Sequence, residues 1–306
     1  MEEFLQKKDA VITIGTFDGV HVGHRKIIKR LVNSAKKNNL KATVLTFFPH
    51  PRMVLQQESD IKLINTIEER KQILKKAGVE EIVVYPFTKE FSRLTAQEYV
   101  QSILVKKLHA KRVIIGYDHR FGRNRTADIN DLKKLGKQFH FEVEEISKED
   151  IEEVAVSSTK IRKALENGEI EKANTYLSKP FMLTGKIVKG KGLGKQLGYP
   201  TANLQIEEDY KLIPKGGVYV VSSVIDKKKY YGMMNIGTNP TVGGKEQTIE
   251  TYFFDLDKNL YGKEISIHLL TRIRDEQNFN DVDELISAMK EDEEFSFNYL
   301  KKHKST

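Results

Sequence analysis

Along the first half of the chain, short apolar runs alternate with longer stretches whose apolar positions recur at helical spacing. AVITIG, at 10–15, reads as a buried strand, and after it Ile27, Ile28, Leu31, Val32 and Ala35 fall on one face at a period of 3.6, which predicts a helix. ATVLTFF, EEIVVYPF, KRVIIGY and FEVEEI repeat the strand signal with helical patterns between them. Two of those helices open with Thr66-x-x-Glu69 and Thr95-x-x-Glu98, the spacing at which a hydroxyl and a carboxylate satisfy the orphan N–H groups of a first turn. Strand–helix alternation out to about Leu177 predicts a parallel sheet covered by helices.

Beyond the LSKPF segment the period changes. Glycine and proline punctuate β-rich runs such as GVYVVSSVI, KYYGMMNIG, IETYFFDL and KEISIHLLT, and Ile265, Ile267 and Leu269 alternate with Ser266 and His268 as in a strand buried on one face. This half predicts a β-barrel or a sandwich. From Asp281 a helical period returns, with acids early and lysines late, in keeping with the helix dipole. The pattern divides the chain into domains at 1–180 and 181–306, and a length of 306 residues suits two ordinary domains.

Composition narrows the setting. The net charge of +8 favours anionic ligands. Without a single cysteine there are no disulfides, thiolate nucleophiles or Cys-based zinc sites, which fits a reducing compartment. The opening MEEFLQKKDA has no apolar core of a leader, and nowhere do about 18 apolar residues run together. The expected location is the cytoplasm, with no membrane partner. A nucleic-acid partner is not expected either: Lys227–Lys229 sits between strand patterns like a hairpin tip, there is no tryptophan, and no stacking motif is visible. Nothing in the sequence sets oligomeric state beyond a monomer or transient homo-oligomer.

The chemistry concentrates in two stretches. GTFDGVHVGH, at 15–24, joins the first strand to the first helix, at the sheet edge where ligands bind in parallel α/β folds. Gly15, Thr16, Phe17, Asp18 and Gly19 form the turn, Gly23 opens the helix, and the helix N-terminus favours an anion to which His21 and His24 add donors. A phosphate site is the leading reading, a structural turn the alternative. A His-based metal site fits poorly, because the helical Glu of an HExxH motif is missing. The second stretch, GKIVKGKGLGKQLGYPTANL at 185–204, interleaves Gly190, Gly192, Gly194 and Gly198 with Lys189, Lys191 and Lys195. It satisfies neither the P-loop pattern nor G-x-G-x-x-G, so by itself it reads equally well as a basic surface loop.

Together with GTFDGVHVGH, the segments TFFPHP (46–51), GYDHRFG (116–122) and SSTKIR (157–162) resemble the HxGH nucleotidyltransferase module of bacterial riboflavin kinase/FAD synthetases. GKQLGYPTANL, PKGGVY, NIGTNPT, IETYFFD and LYGKEI resemble the riboflavin kinase module that follows it. The resemblance implies a Rossmann-like α/β nucleotidyltransferase domain and a six-stranded Greek-key barrel with a terminal helix. It further implies phosphorylation of riboflavin to FMN and adenylylation of FMN to FAD, each with ATP and Mg²⁺. An FMN adenylyltransferase whose barrel binds flavin but phosphorylates it weakly or not at all is the alternative.

By this correspondence His21 and His24 donate to the reacting phosphates, and Ser157, Ser158, Thr159 and Arg162 hold the β- and γ-phosphates. A plain helix N-cap explains SSTKIR in isolation. Asp118 resembles the family's flavin- and nucleotide-contacting position, although His119 replaces the usual phenylalanine, and His50 lies in a family segment while also suiting a proline-bounded turn. In the barrel, Gly190, Gly192, Gly194 and Lys195 would surround ATP, Thr201 and Asn203 hold Mg²⁺, Glu250 act as general base, and Arg274 line the flavin pocket with Arg272, Glu276 and Phe279. A cross-strand surface glutamate and a salt-bridged helix start are the alternatives for Glu250 and Arg274. Lys189, Lys195 and Tyr252 depart from the family pattern of histidine, arginine and histidine.

Overall fold

The first strand is apolar throughout because it lies in the middle of a sheet. All five residues of β1 (Ala10–Ile14) are buried, with parallel neighbours on both sides, β2 (Lys41–Phe48) and β4 (Ala110–Gly116). β3 (Glu81–Pro86) and β5 (Glu142–Ile146) form the margins of the order β3-β2-β1-β4-β5, and their residues are mostly half-buried. All five strands are those the apolar runs predict. The computed structural model describes residues 8–56, 60–147, 156–190, 194, 197–241 and 244–303.

Helices α1 (Val22–Lys37), α2 (Pro51–Leu55), α3 (Ile67–Lys76), α4 (Lys89–Ser92), α5 (Ala96–Tyr99) and α6 (Ile129–Phe139) connect the strands, α5 continuing into a π-helical stretch at Val100–Lys107. Thr66 with Glu69 and Thr95 with Glu98 form both capping boxes. Asp128 with Asp131 forms a third, outside a search for Ser/Thr followed by Glu. Because β2 lies on one side of β1 and β4 on the other, the chain leaves the sheet in opposite senses at the carboxyl ends of β1 and β4. That divergence is the crevice in which open α/β sheets bind ligands. The turns at 15–21 and 117–122 both start there.

Past the first residue of α7 (Ser158–Glu166), the second unit runs through that helix and α8 (Ile170–Leu177) and then closes a barrel. Its strands are β6 (Phe181–Val188), β7 (Ala202–Gln205), β8 (Gly217–Ile225), β9 (Lys228–Thr241), β10 (Gly244–Phe253) and β11 (Glu264–Arg274), joined antiparallel in the order β10-β7-β6-β11-β8-β9. Closure decides between barrel and sandwich. α9 (Val282–His303) packs Leu300 against Tyr199, Val218, Val220, Met233 and Phe254. At the β8–β9 turn Asp226 and Lys227 take positive φ, and Lys228 and Lys229 lie over the rings of Tyr230 and Tyr231 at 5.0 and 4.8 Å, so the lysine run is a hairpin tip.

The two compact units divide between Ser158 and Thr159, ahead of the junction at 180 that the change of period suggests. Packing explains the difference. Asn174 Nδ2 donates to the carbonyls of Leu269 and Leu270 while its Oδ1 accepts from the Phe181 N–H, and the Leu165 carbonyl accepts from the Lys215 N–H. A helical period shows that a segment is a helix, not which core it covers.

Candidate active sites

The turn after β1 is tight: Phe17, Gly19 and Val20 all have positive φ, at 48°, 85° and 45°. Phe17 folds inward and meets the His24 ring edge-on at 5.0 Å. His21 is the N-cap of α1, its Nδ1 accepting from the His24 N–H at 3.4 Å, and the two imidazoles stack at 3.7 Å. An accepting Nδ1 leaves the His21 proton on Nε2, as a donor. Burial lowers the His21 pKa from 6.5 to about 4 despite the opposing pull of Asp18, and burial, then His21, then Arg70 push His24 well below its ordinary value. Both rings are therefore neutral at pH 7, and the positive end of α1 supplies the attraction for an anion. His24 Nδ1 is buried with no hydrogen-bond partner among the described residues.

Neutral burial ties stability to pH. For His21 the folded pKa lies below the unfolded one, so the unfolded chain takes up the additional proton. Its contribution is complete above about pH 6.5 and is lost as pH falls toward 4. At about 1.4 kcal/mol per pKa unit the loss is about 3.5 kcal/mol at most. Calorimetry of wild type and His21→Gln across this range should show a steeper fall of the melting midpoint in wild type; parallel profiles would contradict the assignment.

Asp18 turns its carboxylate into the interior. Its carboxylate is 1% exposed, accepts the N–H groups of Ile64 and Asn65 at 3.1 Å each, and pairs with Arg70 at 3.5 Å. Its carbonyl accepts the Ser158 hydroxyl at 2.9 Å, which brings Ser158 to the turn. Ser157 and Thr159 are exposed at the start of α7, and Arg162 is buried one turn on. Asp118 is exposed in the turn after β4. Beside it His119, half-buried and stacked over Phe121 at 6.0 Å, is lowered by burial to about 4 and so keeps an uncharged aromatic face. His50 caps α2 by accepting from the Arg52 N–H at 3.1 Å.

In the barrel, strand pairing assembles the second site. Glu250 on β10 lies opposite Asn203 on β7, and Glu250 Oε2 accepts the Thr201 hydroxyl at 3.0 Å. A Cβ on Gly190 would fall 2.2 Å from Asn203 Nδ2, and one on Gly194 would meet the Tyr199 carbonyl at 2.4 Å and Thr201 Oγ1 at 3.4 Å. Gly190, Gly194, Thr201, Asn203 and Glu250 thus converge, and their oxygens suit a hard cation such as Mg²⁺. Gly192 and Lys195 lie outside the described residues. Tyr252 packs edge-on to Tyr199 and Phe254 at 5.1 and 5.7 Å, in apolar surroundings. Gly190→Ala is expected to leave the fold intact, because the far end of Asn203 can swing aside. It should lower FMN formation about tenfold with FAD formation unchanged, as flavin chromatography would show.

Arg274 is committed to α9: Nε and Nη2 donate to the two oxygens of Asp292 at 2.8 Å each, and its guanidinium lies 5.7 Å over Phe279. Phe279 lines a cleft of about 530 Å³ with Gln277, Asn278, Glu284, Ser287 and Glu291. Glu276 accepts from the Thr238 N–H, and Arg272 Nη2 donates to the Gly216 carbonyl and to Asp275. Sequence reasoning missed Arg70 and Asp292. Each had a signal, a charge at helical spacing from apolar residues of its helix, Ile73 and Leu74 in one case and Met289 in the other.

Residues 4–160 match the family described as FAD synthetase, and residues 177–300 the family described as riboflavin kinase. The chain is 37% identical over 286 residues to the bifunctional riboflavin kinase/FMN adenylyltransferase of Listeria monocytogenes, covering 93% of this chain and 90% of that protein. It is 35% identical over 288 residues to the Escherichia coli K12 protein of the same description, covering 94% and 91%. A crystal structure described as a macrolide-efflux protein from Streptococcus pneumoniae is similar with a TM-score of 0.84 at 34% identity, covering 95% of this chain and 94% of that one. No helix among the described residues is long and apolar enough to cross a membrane. With both halves matched in sequence and each half carrying its own assembled motif, the chain belongs to the bifunctional riboflavin kinase/FMN adenylyltransferase family.

Proposed function

We propose that the chain phosphorylates riboflavin in its barrel and adenylylates the resulting FMN in its α/β domain. One observation carries the reading: within each unit the motif residues meet in one place, the stacked His21 and His24 at the head of α1 and Gly190, Thr201, Asn203 and Glu250 across β7 and β10.

For the kinase step, Glu250 takes the proton of the riboflavin 5′-hydroxyl as its oxygen attacks the γ-phosphorus, and ADP leaves. Thr201, bonded to Glu250, fixes the carboxylate's orientation. Mg²⁺ at Thr201 and Asn203 would draw charge from the ATP phosphates. For the second step no protein nucleophile is needed, because an FMN phosphate oxygen attacks the α-phosphorus directly and pyrophosphate leaves. The turn supplies position and donors: His21 Nε2–H, His24 and the first N–H groups of α1 serve the phosphates, with Ser158, whose hydroxyl bonds the Asp18 carbonyl, beside them. The reactants are small flavins and ATP in the cytoplasm, without a nucleic-acid partner, and the working form is a monomer or transient homo-oligomer.

Incubation with Mg-ATP and either riboflavin or FMN, with flavins resolved and ADP and pyrophosphate counted, tests both steps. FMN with ADP reports the first and FAD with pyrophosphate the second. FAD without any FMN from riboflavin would reduce the barrel to flavin binding.

A further inference from the structure

Arg70, on α3, is 1% exposed, although Lys71 on the same helix bonds at the surface to Glu68. Taking a guanidinium out of water is costly, and a buried ion pair seldom improves on apolar packing for stability alone. The partners of Arg70 point elsewhere. Nη2 lies 3.5 Å from Asp18 Oδ1, and Nη1 donates to Thr46 Oγ1 at 3.4 Å, while the Thr46 hydroxyl donates to the Thr16 carbonyl at 3.0 Å. Thr16 and Asp18 are both residues of the turn between β1 and α1.

Asp18 has a difficulty of its own. Its two oxygens hold the turn against Ile64 and Asn65, yet a carboxylate behind a turn that receives a triphosphate repels it. We propose that Arg70 is a positioning residue of adenylyl transfer: it neutralises Asp18, so that this carboxylate clamps the turn without driving the ATP phosphates away. The inference rests on the reading of the Gly15–His24 turn as the triphosphate site. Arg70 is too deeply buried to touch the nucleotide and acts through Asp18 and Thr46. Its charge also favours the neutral form of His24.

Three variants of the full chain test this: Arg70→Met, which keeps the apolar stem without the charge; Arg70→Lys, which keeps the charge; and Arg70→Met with Asp18→Asn, which removes both charges. Arg70→Met should raise the KM for ATP in FAD formation about tenfold with a smaller change in kcat, whereas Arg70→Lys should stay within about threefold of wild type. The double variant should regain most of the lost ATP affinity, a rescue that a packing role does not produce. FMN formation by the barrel reports that the chain is folded. An unchanged KM in Arg70→Met, or a double variant no better than the single one, overturns the proposal. Should Arg70→Met fail to fold, a double variant with near wild-type KM supports it and one with a raised KM overturns it. His21→Ala separates the two levels: if it leaves FAD formation intact the triphosphate reading falls, and if it stops FAD formation while Arg70→Met leaves the KM unmoved, only the role of Arg70 falls.

Discussion

Replacing His21 by alanine is expected to slow FAD formation by about 10²–10³, the cost of losing one preorganised donor aimed at developing charge. The size follows from its placement. His21 is buried, its Nδ1 is occupied by the His24 N–H, and its remaining proton is on Nε2, so the ring has one donor in one direction. Because burial keeps it neutral, the loss is that of a fixed N–H dipole rather than of a full charge. The variant also loses the α1 cap, at about 1 kcal/mol, which a thermal melt would register apart from the rate. FMN formation by the same preparation should be unchanged. A FAD rate within about threefold of wild type would remove His21 from the reaction.

Glu250→Gln should lower FMN formation by about 10²–10⁴, the usual contribution of a general base, while FAD formation from supplied FMN continues. Glutamine is nearly isosteric, and its amide oxygen can still accept the Thr201 hydroxyl, so strand pairing with Asn203 persists. The effect therefore belongs in kcat, with the KM for riboflavin little altered. Steady-state kinetics with riboflavin varied would check this, and a loss confined to KM would make Glu250 a binding group.

Much of the scaffold was legible because it is written in local periods. The three central strands of the parallel sheet, β2, β1 and β4, carry buried apolar runs, and β11 alternates because only one of its faces meets the barrel core. What escaped depends on partners distant in sequence. Nothing near Asn174 shows that it bonds to β11 about 95 residues later. β7 has four residues, two of them polar, and only its ladder with β6 and β10 makes it a strand. At the sites, the glycine pattern and PTAN were visible, whereas the inward turn of Asp18 and the commitment of Arg274 to Asp292 were not. Each pairs a buried carboxylate with an arginine distant in sequence, and sequence records the charges without recording the pairs.

The two sheets also differ in how they face a misfolded neighbour. A ring of strands has no margin, so the β6–β11 barrel offers no unpaired backbone on which a stray segment could dock. The α/β sheet has two margins, and on β5 the guard is chemical: Glu142, Glu144 and Glu145 are engaged by Arg112, Arg30 and Lys133, so an incoming strand would have to displace ion pairs and tolerate clustered like charge. Protection against aggregation is thus built by closure in one half of the chain and by acidic gatekeepers in the other.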